Sequence, residues 1–287
     1  MKITVLGMGA MGSRMAKNWI NAGVSVTVWN RSPEAAQQLR AEFEQVTVAS
    51  TPAEAARDAD YVVAMVRDDE ASRNVWLGEN GALAALSERA IAIESSTLTP
   101  DHVQSLAKAF AEAGRTLIEA PVAGTLPQVE AGQLNYMLSG PEDFCEQIQK
   151  LLEPQAKTFA YTGDYGQAAK LKLAVNSMLA VQVAALSEIL STLEKQGIER
   201  EAAMDVLNTM STSSPAAEVM GKLMSLRKYN PLFPIQLVAK DMAYASHVFN
   251  AESRPDSVIS TSRNLYQTAV AQGLGRDNIA GLIQHYE

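Results

Sequence analysis

The chain has 287 residues and a net charge of −8, with 47% hydrophobic and 20% charged residues. That length suits about two domains, each large enough for its own core, and the acidic balance disfavours nucleic acid, whose phosphates need a basic face. A lone cysteine, Cys145, excludes a disulfide framework or thiolate cluster, and His102, His247 and His285 lack ligand spacing, so no metal is expected.

The first element in chain order is a β-branched run, Ile3-Thr4-Val5-Leu6, which opens into Gly7-Met8-Gly9-Ala10-Met11-Gly12. A helical segment follows from Ser13 through Met15, Ala16 and Trp19 to Gly23. Strand, glycine turn and helix in that order are the setting in which Gly-x-Gly-x-x-Gly binds a dinucleotide. The first glycine makes the turn, the second admits the pyrophosphate, and the third lets helix and strand pack closely. The helix N-terminus adds N–H groups and a positive dipole end. The amino terminus does not read as a signal peptide, because its short apolar run ends in the glycine loop.

A second strand, Ser25–Trp29, ends at Asn30-Arg31-Ser32. An NAD-binding fold carries an acidic residue there for the ribose 2′-hydroxyl. With no carboxylate present, Arg31 can stack on adenine and pair with a 2′-phosphate, and Ser32 can donate a hydrogen bond. Ser32 as a cap for a helix from Pro33 is compatible with that reading. The expected cofactor is NADP in preference to NAD.

Further candidate strands are Val46–Ala49, Tyr61–Val66, Ala90–Glu94 and Thr116–Glu119, with helical segments such as Pro33–Phe43 and Pro100–Ala113 between strands. The alternation implies parallel crossovers and a doubly wound α/β sheet. Leu134–Ser139 and Thr158–Tyr161, flanking a helix from Pro141, extend its edge. Beyond Gly166 only helices are expected, at Gln167–Gln196, Glu199–Met210, Pro215–Leu226, Ile235–Val248, Asp256–Gln272 and Asn278–His285. The reading is a nucleotide-binding domain over 1–162, and an all-helical domain over 163–287 for substrate and assembly, joined by the long first helix. That helix is apolar on more than one face, which suits burial between domains or subunits and a homodimer or homotetramer. Lys172, Asn176, Ser177, Gln182 and Glu188 interrupt it, so no membrane span is expected, and a cytoplasmic enzyme is the default.

Two stretches carry candidate chemistry. Lys172 and Asn176 lie one helical turn apart, and Leu179, Val183, Leu186 and Leu190 fall within about 40° of Lys172 at 100° per residue. Lys172 therefore begins an inward stripe, where partial burial would lower its pKa and suit it to acid–base work. A lysine snorkelling from the stripe's edge is the structural alternative. Lys170 sits about 160° round the helix and cannot serve the same site. The other stretch is Glu119-Ala-Pro-Val-Ala-Gly-Thr125, at the carboxyl end of the sixth strand, where open α/β sheets bind ligands. Backbone N–H groups of Val122, Ala123 and Gly124 could cradle a substrate carboxylate, although a plain turn would use the same residues.

These motifs together resemble the β-hydroxyacid dehydrogenase family, which includes 3-hydroxyisobutyrate dehydrogenases and glyoxylate/succinic semialdehyde reductases. The similarity runs through Gly7 to Gly12, Met15-Ala-x-Asn18, Ser96-Thr97-x-x-Pro100, Ala120-Pro-Val122, Lys172-x-x-x-Asn176, and Lys240-Asp241 preceded by Phe233. The resemblance implies a Rossmann domain, Lys172 as acid/base and Asn176 as a substrate holder. It places Thr97 and Lys240 near the nicotinamide or its ribose, Met65 and Val66 along the cofactor, and Ser96 and Phe233 at the substrate. The usual Asp-Ala-Pro-Val-Ser-Gly-Gly loop is altered by Glu119, Ala123 and Thr125, which points to a different substrate within the same reaction type. The expected reaction moves a hydride between NADP and a small hydroxy acid or its aldehyde or keto counterpart. An imine reductase-like enzyme is the alternative, though such enzymes usually lack this lysine. Decarboxylating 6-phosphogluconate dehydrogenase has a His-Asn-Gly run where this chain has Val175-Asn176-Ser177. A dinucleotide-binding scaffold or sensor without catalysis is the alternative of another class.

Overall fold

A computed structural model describes all 287 residues, as two compact units, residues 1–172 and 173–287. The first unit runs β1 (Lys2–Leu6), α1 (Ala10–Asn21), β2 (Ser25–Trp29), α2 (Glu34–Glu42), β3 (Thr47–Val48), α3 (Pro52–Ala56), β4 (Tyr61–Ala64), α4 (Asp69–Leu77), β5 (Ile91–Glu94), α5 (Pro100–Glu112), β6 (Thr116–Glu119), β7 (Val122–Ala123), α6 (Leu126–Glu130), β8 (Leu134–Ser139), α7 (Glu142–Leu152) and β9 (Ala156–Gly163). Its sheet has the order β3-β2-β1-β4-β5-β6-β8-β7, with β9 also on β8. The pairs from β3 to β6 are all parallel, whereas β8 is antiparallel to β6 and β7. The strand order reverses between β1 and β4, the switch point at which such sheets bind ligands. Ile3, Val5, Val28, Val63, Ile93 and Ile118 are buried in the main core cluster, each such side chain contributing about 1.5–3 kcal/mol. Trp19 of α1 is fully buried and donates its indole N–H to the Leu151 carbonyl at 2.8 Å.

Helix α8 (Gln167–Lys195) begins in the first unit and runs into the second. By length and apolar composition it could cross a membrane, yet half of its most apolar window is buried inside the protein. Ala180, Val183, Leu186 and Leu190 join the core of the second unit, which continues as α9 (Arg200–Leu207), α10 (Pro215–Ser225), α11 (Ile235–Val248) and α12 (Val258–Ala271).

Several local expectations are corrected. Helices α3, α4 and α6 and strand β7 are not among the expected elements: α3, α6 and β7 are too short for periodicity to register, and α4 opens on the polar run Asp69-Glu-Ala-Ser-Arg-Asn74. Their signals are caps instead: Thr51 accepts from Glu54 N–H and Asp68 from Ala71 N–H. Residues Ile279–Tyr286 form a 3₁₀ rather than an α-helix, tightened by a Gly281 N–H bond to the Asn278 carbonyl at 2.6 Å.

Candidate functional site

The glycine loop between β1 and α1 leaves room at its middle glycine and none at the other two. Gly7 has a φ of +102°, and a Cβ there would lie 2.3 Å from the Met65 carbonyl oxygen. At Gly12 it would lie 2.0 Å from the Gly7 oxygen, but at Gly9 it would meet no protein atom within 4 Å. Two glycines are thus demanded by close packing, while the middle one borders open space of the kind a pyrophosphate fills. Gly9 is the N-cap of α1, with no side-chain cap and no acidic residue in the first turn. The helix N–H groups there are left for an anion.

Asn30 anchors this loop. Its Oδ1 accepts from Met8 N–H at 2.9 Å, and its Nδ2 donates to the Ser32 carbonyl at 2.8 Å. Arg31 and Ser32 are exposed beside it. Ser32 does not cap α2, which begins with Pro33 at its N-cap and no side-chain cap bond. On the neighbouring β4 side, Met65 and Val66 are half-buried. Val66 N–H donates to Ser96 Oγ at 2.8 Å, and Ser96 N–H donates to Glu94 Oε1 at 2.9 Å. Glu94 is 1% exposed, and its other oxygen accepts from Ser72 and Trp76. Burial pushes its carboxyl upward, opposed by those donors. The structure therefore joins Ser96 to the Met65–Val66 segment, and half-buried Thr97 follows it.

The loop after β6 is more ordered than a plain turn. Val122 and Ala123 pair with Tyr136 and Asn135 of β8, and Met137 N–H donates to the Pro121 carbonyl. Alternation in an antiparallel ladder makes Ala123–Asn135 the next bonded pair, so Ala123 N–H is drawn into the sheet and those of Val122 and Gly124 lie outside it. Gly124 has a φ of +145°, and a Cβ there would meet Leu134 Cδ2 at 2.7 Å. Thr125 forms a capping box with Gln128 at the start of α6. Its presence in the loop therefore has a structural reason.

On α8, Lys172 is 8% and Asn176 6% exposed, while Lys170 is exposed. Val183 and Leu190 on the same stripe are fully buried, and Leu186 is 8% exposed. Within the second unit, Asn176 Nδ2 donates to Asp241 Oδ2 at 2.6 Å. Lys240 Nζ lies 3.0 Å from Asp241 Oδ1 and 4.7 Å from the centroid of the Tyr244 ring. Asp241 is 3% exposed, so its charge is held by a cation and an amide in place of water. Phe233, half-buried, is fixed through its backbone by Asn278 and Ile279.

The profile described as the NAD binding domain of 6-phosphogluconate dehydrogenase matches residues 2–163. That described as the NAD-binding domain of NADP-dependent 3-hydroxyisobutyrate dehydrogenase matches residues 166–286. The chain belongs to the β-hydroxyacid dehydrogenase family. It is 29% identical to glyoxylate/succinic semialdehyde reductase 2 of Arabidopsis thaliana, across 98% of this chain and 78% of that one. It is 30% identical to the mitochondrial 3-hydroxyisobutyrate dehydrogenase of Drosophila melanogaster, across 97% and 87%. A solved structure of the Mycobacterium tuberculosis 3-hydroxyisobutyrate dehydrogenase with L-serine superposes with a TM-score of 0.87 at 25% identity, covering 99% and 98%. As a β-hydroxyacid dehydrogenase family member, the protein is an NAD(P)-dependent oxidoreductase acting on a CH–OH group.

Three polar residues of this family member escaped sequence reasoning. Asp241 was seen only as part of a motif, yet it holds both Asn176 and Lys240. Glu94 supports Ser96 from beneath. Asn18, likewise seen only as part of a motif, ties α1 to α6 by donating to the Val129 carbonyl at 2.6 Å. An acidic residue inside an apolar run, as in Ile91-Ala-Ile-Glu94, was the available signal for a satisfied buried carboxylate.

Proposed function

We propose that the protein is an NADP-dependent oxidoreductase of small hydroxy acids and their aldehyde or keto counterparts, with Lys172 as general acid/base. The observation that carries this reading is the pairing on α8 of two buried polar side chains, Lys172 and Asn176, one turn apart, in a chain whose glycine loop accommodates a pyrophosphate. The names of the Arabidopsis and Drosophila relatives, both concerning small carboxylic acids or their aldehydes, support the substrate class. A bound nicotinamide would supply or take up the hydride. In reduction Lys172 Nζ gives a proton to the carbonyl oxygen; in oxidation it takes that proton from the hydroxyl. Asp241 holds Asn176 Nδ2, which fixes the amide with Oδ1 turned away from the carboxylate. Exposed Arg31 supports the choice of NADP, since a guanidinium can meet a 2′-phosphate with two parallel bonds. Leu171, Val175, Met178 and Ile189 are 46–64% exposed on α8 and recur at helical spacing, which supports a homo-oligomer built on that face.

Two lysines of one helix make the test. Lys172→Ala should lower kcat by about 10²–10⁴-fold with NADPH binding little changed, the usual range for general acid–base catalysis. Lys170→Ala, which removes the same charge from the exposed side, should leave kcat nearly intact. A large loss at Lys170 and none at Lys172 would overturn the assignment.

A further inference from the structure

The four N–H groups that open α8 are all satisfied, and the sheet does most of it. Gly166 N–H donates to Glu119 Oε2 at 2.7 Å, and Ala169 N–H to Glu119 Oε1 at 2.6 Å. Ala168 N–H donates to Ser139 Oγ at 3.1 Å, and Gln167 N–H to the Asp164 carbonyl at 3.1 Å. Glu119 and Ser139 are register partners where β6 meets β8, so two adjacent strand ends jointly cap this helix. A helix cap of this kind is ordinarily supplied by the N-cap side chain itself, as Thr51, Asp68 and Ser214 do elsewhere in this chain. Here the equivalent position is Gly166, with a φ of +89°, and the cap comes from 47 residues away. Lys172 follows Ala169 by three residues on the same helix.

We propose that Glu119 is a positioning residue for Lys172: its ionised carboxylate, anchored in the sheet, holds the first turn of α8 and so sets the register and direction from which the lysine works. The inference rests on the reading of Lys172 as acid/base. A carboxylate offers lone pairs on both oxygens to the two N–H donors and complements the positive end of the helix dipole. A glutamine can accept with only one. The ionisable groups that couple to Glu119 include Glu94 on β5, Cys145 on α7 and Tyr165 in the turn before α8. None of these three is a cation, and burial pushes Cys145 up to about 11 and Tyr165 to about 12. Glu119 itself is 1% exposed. Burial, only partly offset by Gly166 and Ala169, raises its carboxyl to about 7. The cap is therefore set above neutrality and weakened below it.

The test uses Glu119→Gln, Glu119→Asp and Lys172→Ala with two readouts. One is kcat and KM from pH 5.5 to 8.5; the other is amide hydrogen exchange across residues 164–172 in cofactor-free protein, corrected for intrinsic rates. Glu119→Gln should lower kcat about 10–100-fold, the scale of a small misplacement of a catalytic group, with KM changed far less. It should also lose the acid limb of the kcat profile near pH 7 and exchange the amides of residues 166, 168 and 169 faster at pH 8. Glu119→Asp keeps the charge and should retain more activity than the glutamine variant. In the unmodified protein, exchange of those amides should accelerate as pH falls from 8 to 6, which carries the test if Glu119→Gln does not fold. Wild-type kcat and exchange in Glu119→Gln, or pH-independent exchange in the unmodified protein, overturns the proposal. If these occur while Lys172→Ala is inactive, only the role of Glu119 fails; an active Lys172→Ala overturns the reading beneath it as well.

Discussion

The two units bury charge in opposite ways. In the α/β unit, Glu94 and Glu119 are each 1% exposed, and their bonding partners are neutral: hydroxyls, an indole and backbone N–H groups. In the helical unit, the buried charges sit in ion pairs. Arg200 is 3% exposed and lies 2.5 Å from Glu194 and 2.6 Å from Glu287, while Asp241 faces Lys240. Neutral donors stabilise a carboxylate without a countercharge, so desolvation wins and Glu119 is raised to about 7. Ion pairs do the reverse: despite some burial, Arg200 and Arg227 hold the Glu287 carboxyl below its ordinary value. A device that responds near neutral pH is thus built into the sheet, at the start of the helix that carries Lys172, and an ion-paired clamp joins Arg200 and Arg227 to Glu194 and Glu287.

The comparison breaks most visibly at the clamp. Arg200→Ala leaves Glu194 and Glu287 without their buried partner, and should cost about 3 kcal/mol in urea unfolding, the low end for a broken buried pair because both acids are partly exposed. A loss within 0.5 kcal/mol would mean that Arg227 alone carries the network. Next in size, ionisation of Glu119 should tilt stability against pH. Its folded pKa of about 7 lies above the ordinary 4.5, so the folded state binds more protons: the ionisation that strengthens the cap bonds within the fold costs global stability, which is fully present below pH 4.5 and is lost as pH rises through 7. The span corresponds to about 3 kcal/mol at most, less after relaxation, and Glu119→Gln should flatten it. Glu287 has the opposite sign. Its pKa is depressed, so its contribution is present above pH 4.5 and lost as pH falls through the folded value. Unfolding at pH 3.5, 5 and 8, compared between Glu119→Gln and Glu287→Gln, separates the two.

How much was legible in the sequence follows the same division. The glycine loop was readable because each glycine answers a local demand, a positive φ at Gly7 and close backbone at Gly12. The direction of Lys172 was readable because helical periodicity places it on a stripe with Val183 and Leu190. The cap by Glu119 and the hold of Asp241 on Asn176 were not readable, since those partners lie 47 and 65 residues away, and no local pattern records a long-range contact. Strand β7 was missed because its two residues gain their pairing only from β8.

Smaller effects sharpen the functional side. Asp241→Asn removes the carboxylate that orients Asn176 and faces Lys240, and should lower kcat/KM about tenfold, read as a steady-state ratio; an unchanged ratio would make that cluster purely structural. Arg31→Asp should reverse cofactor preference, since a charge-assisted pair with a 2′-phosphate contributes about 1.5–3 kcal/mol, or at least tenfold in Kd. Equal Kd values for NADPH and NADH in the unmodified protein would remove the basis for that assignment.

The most direct measurement follows the hydride itself. NADPH carrying deuterium at the transferable C4 position is incubated with the protein and a panel of small aldehydes and keto acids, with and without a small primary amine, and products are read by mass spectrometry. The account requires a hydroxy acid or alcohol with one deuterium on its carbinol carbon, formed by the unmodified protein and lost in Lys172→Ala. Deuterium found only on a carbon bound to nitrogen, or NADPH bound tightly with no label transferred to any carbonyl compound, would contradict it.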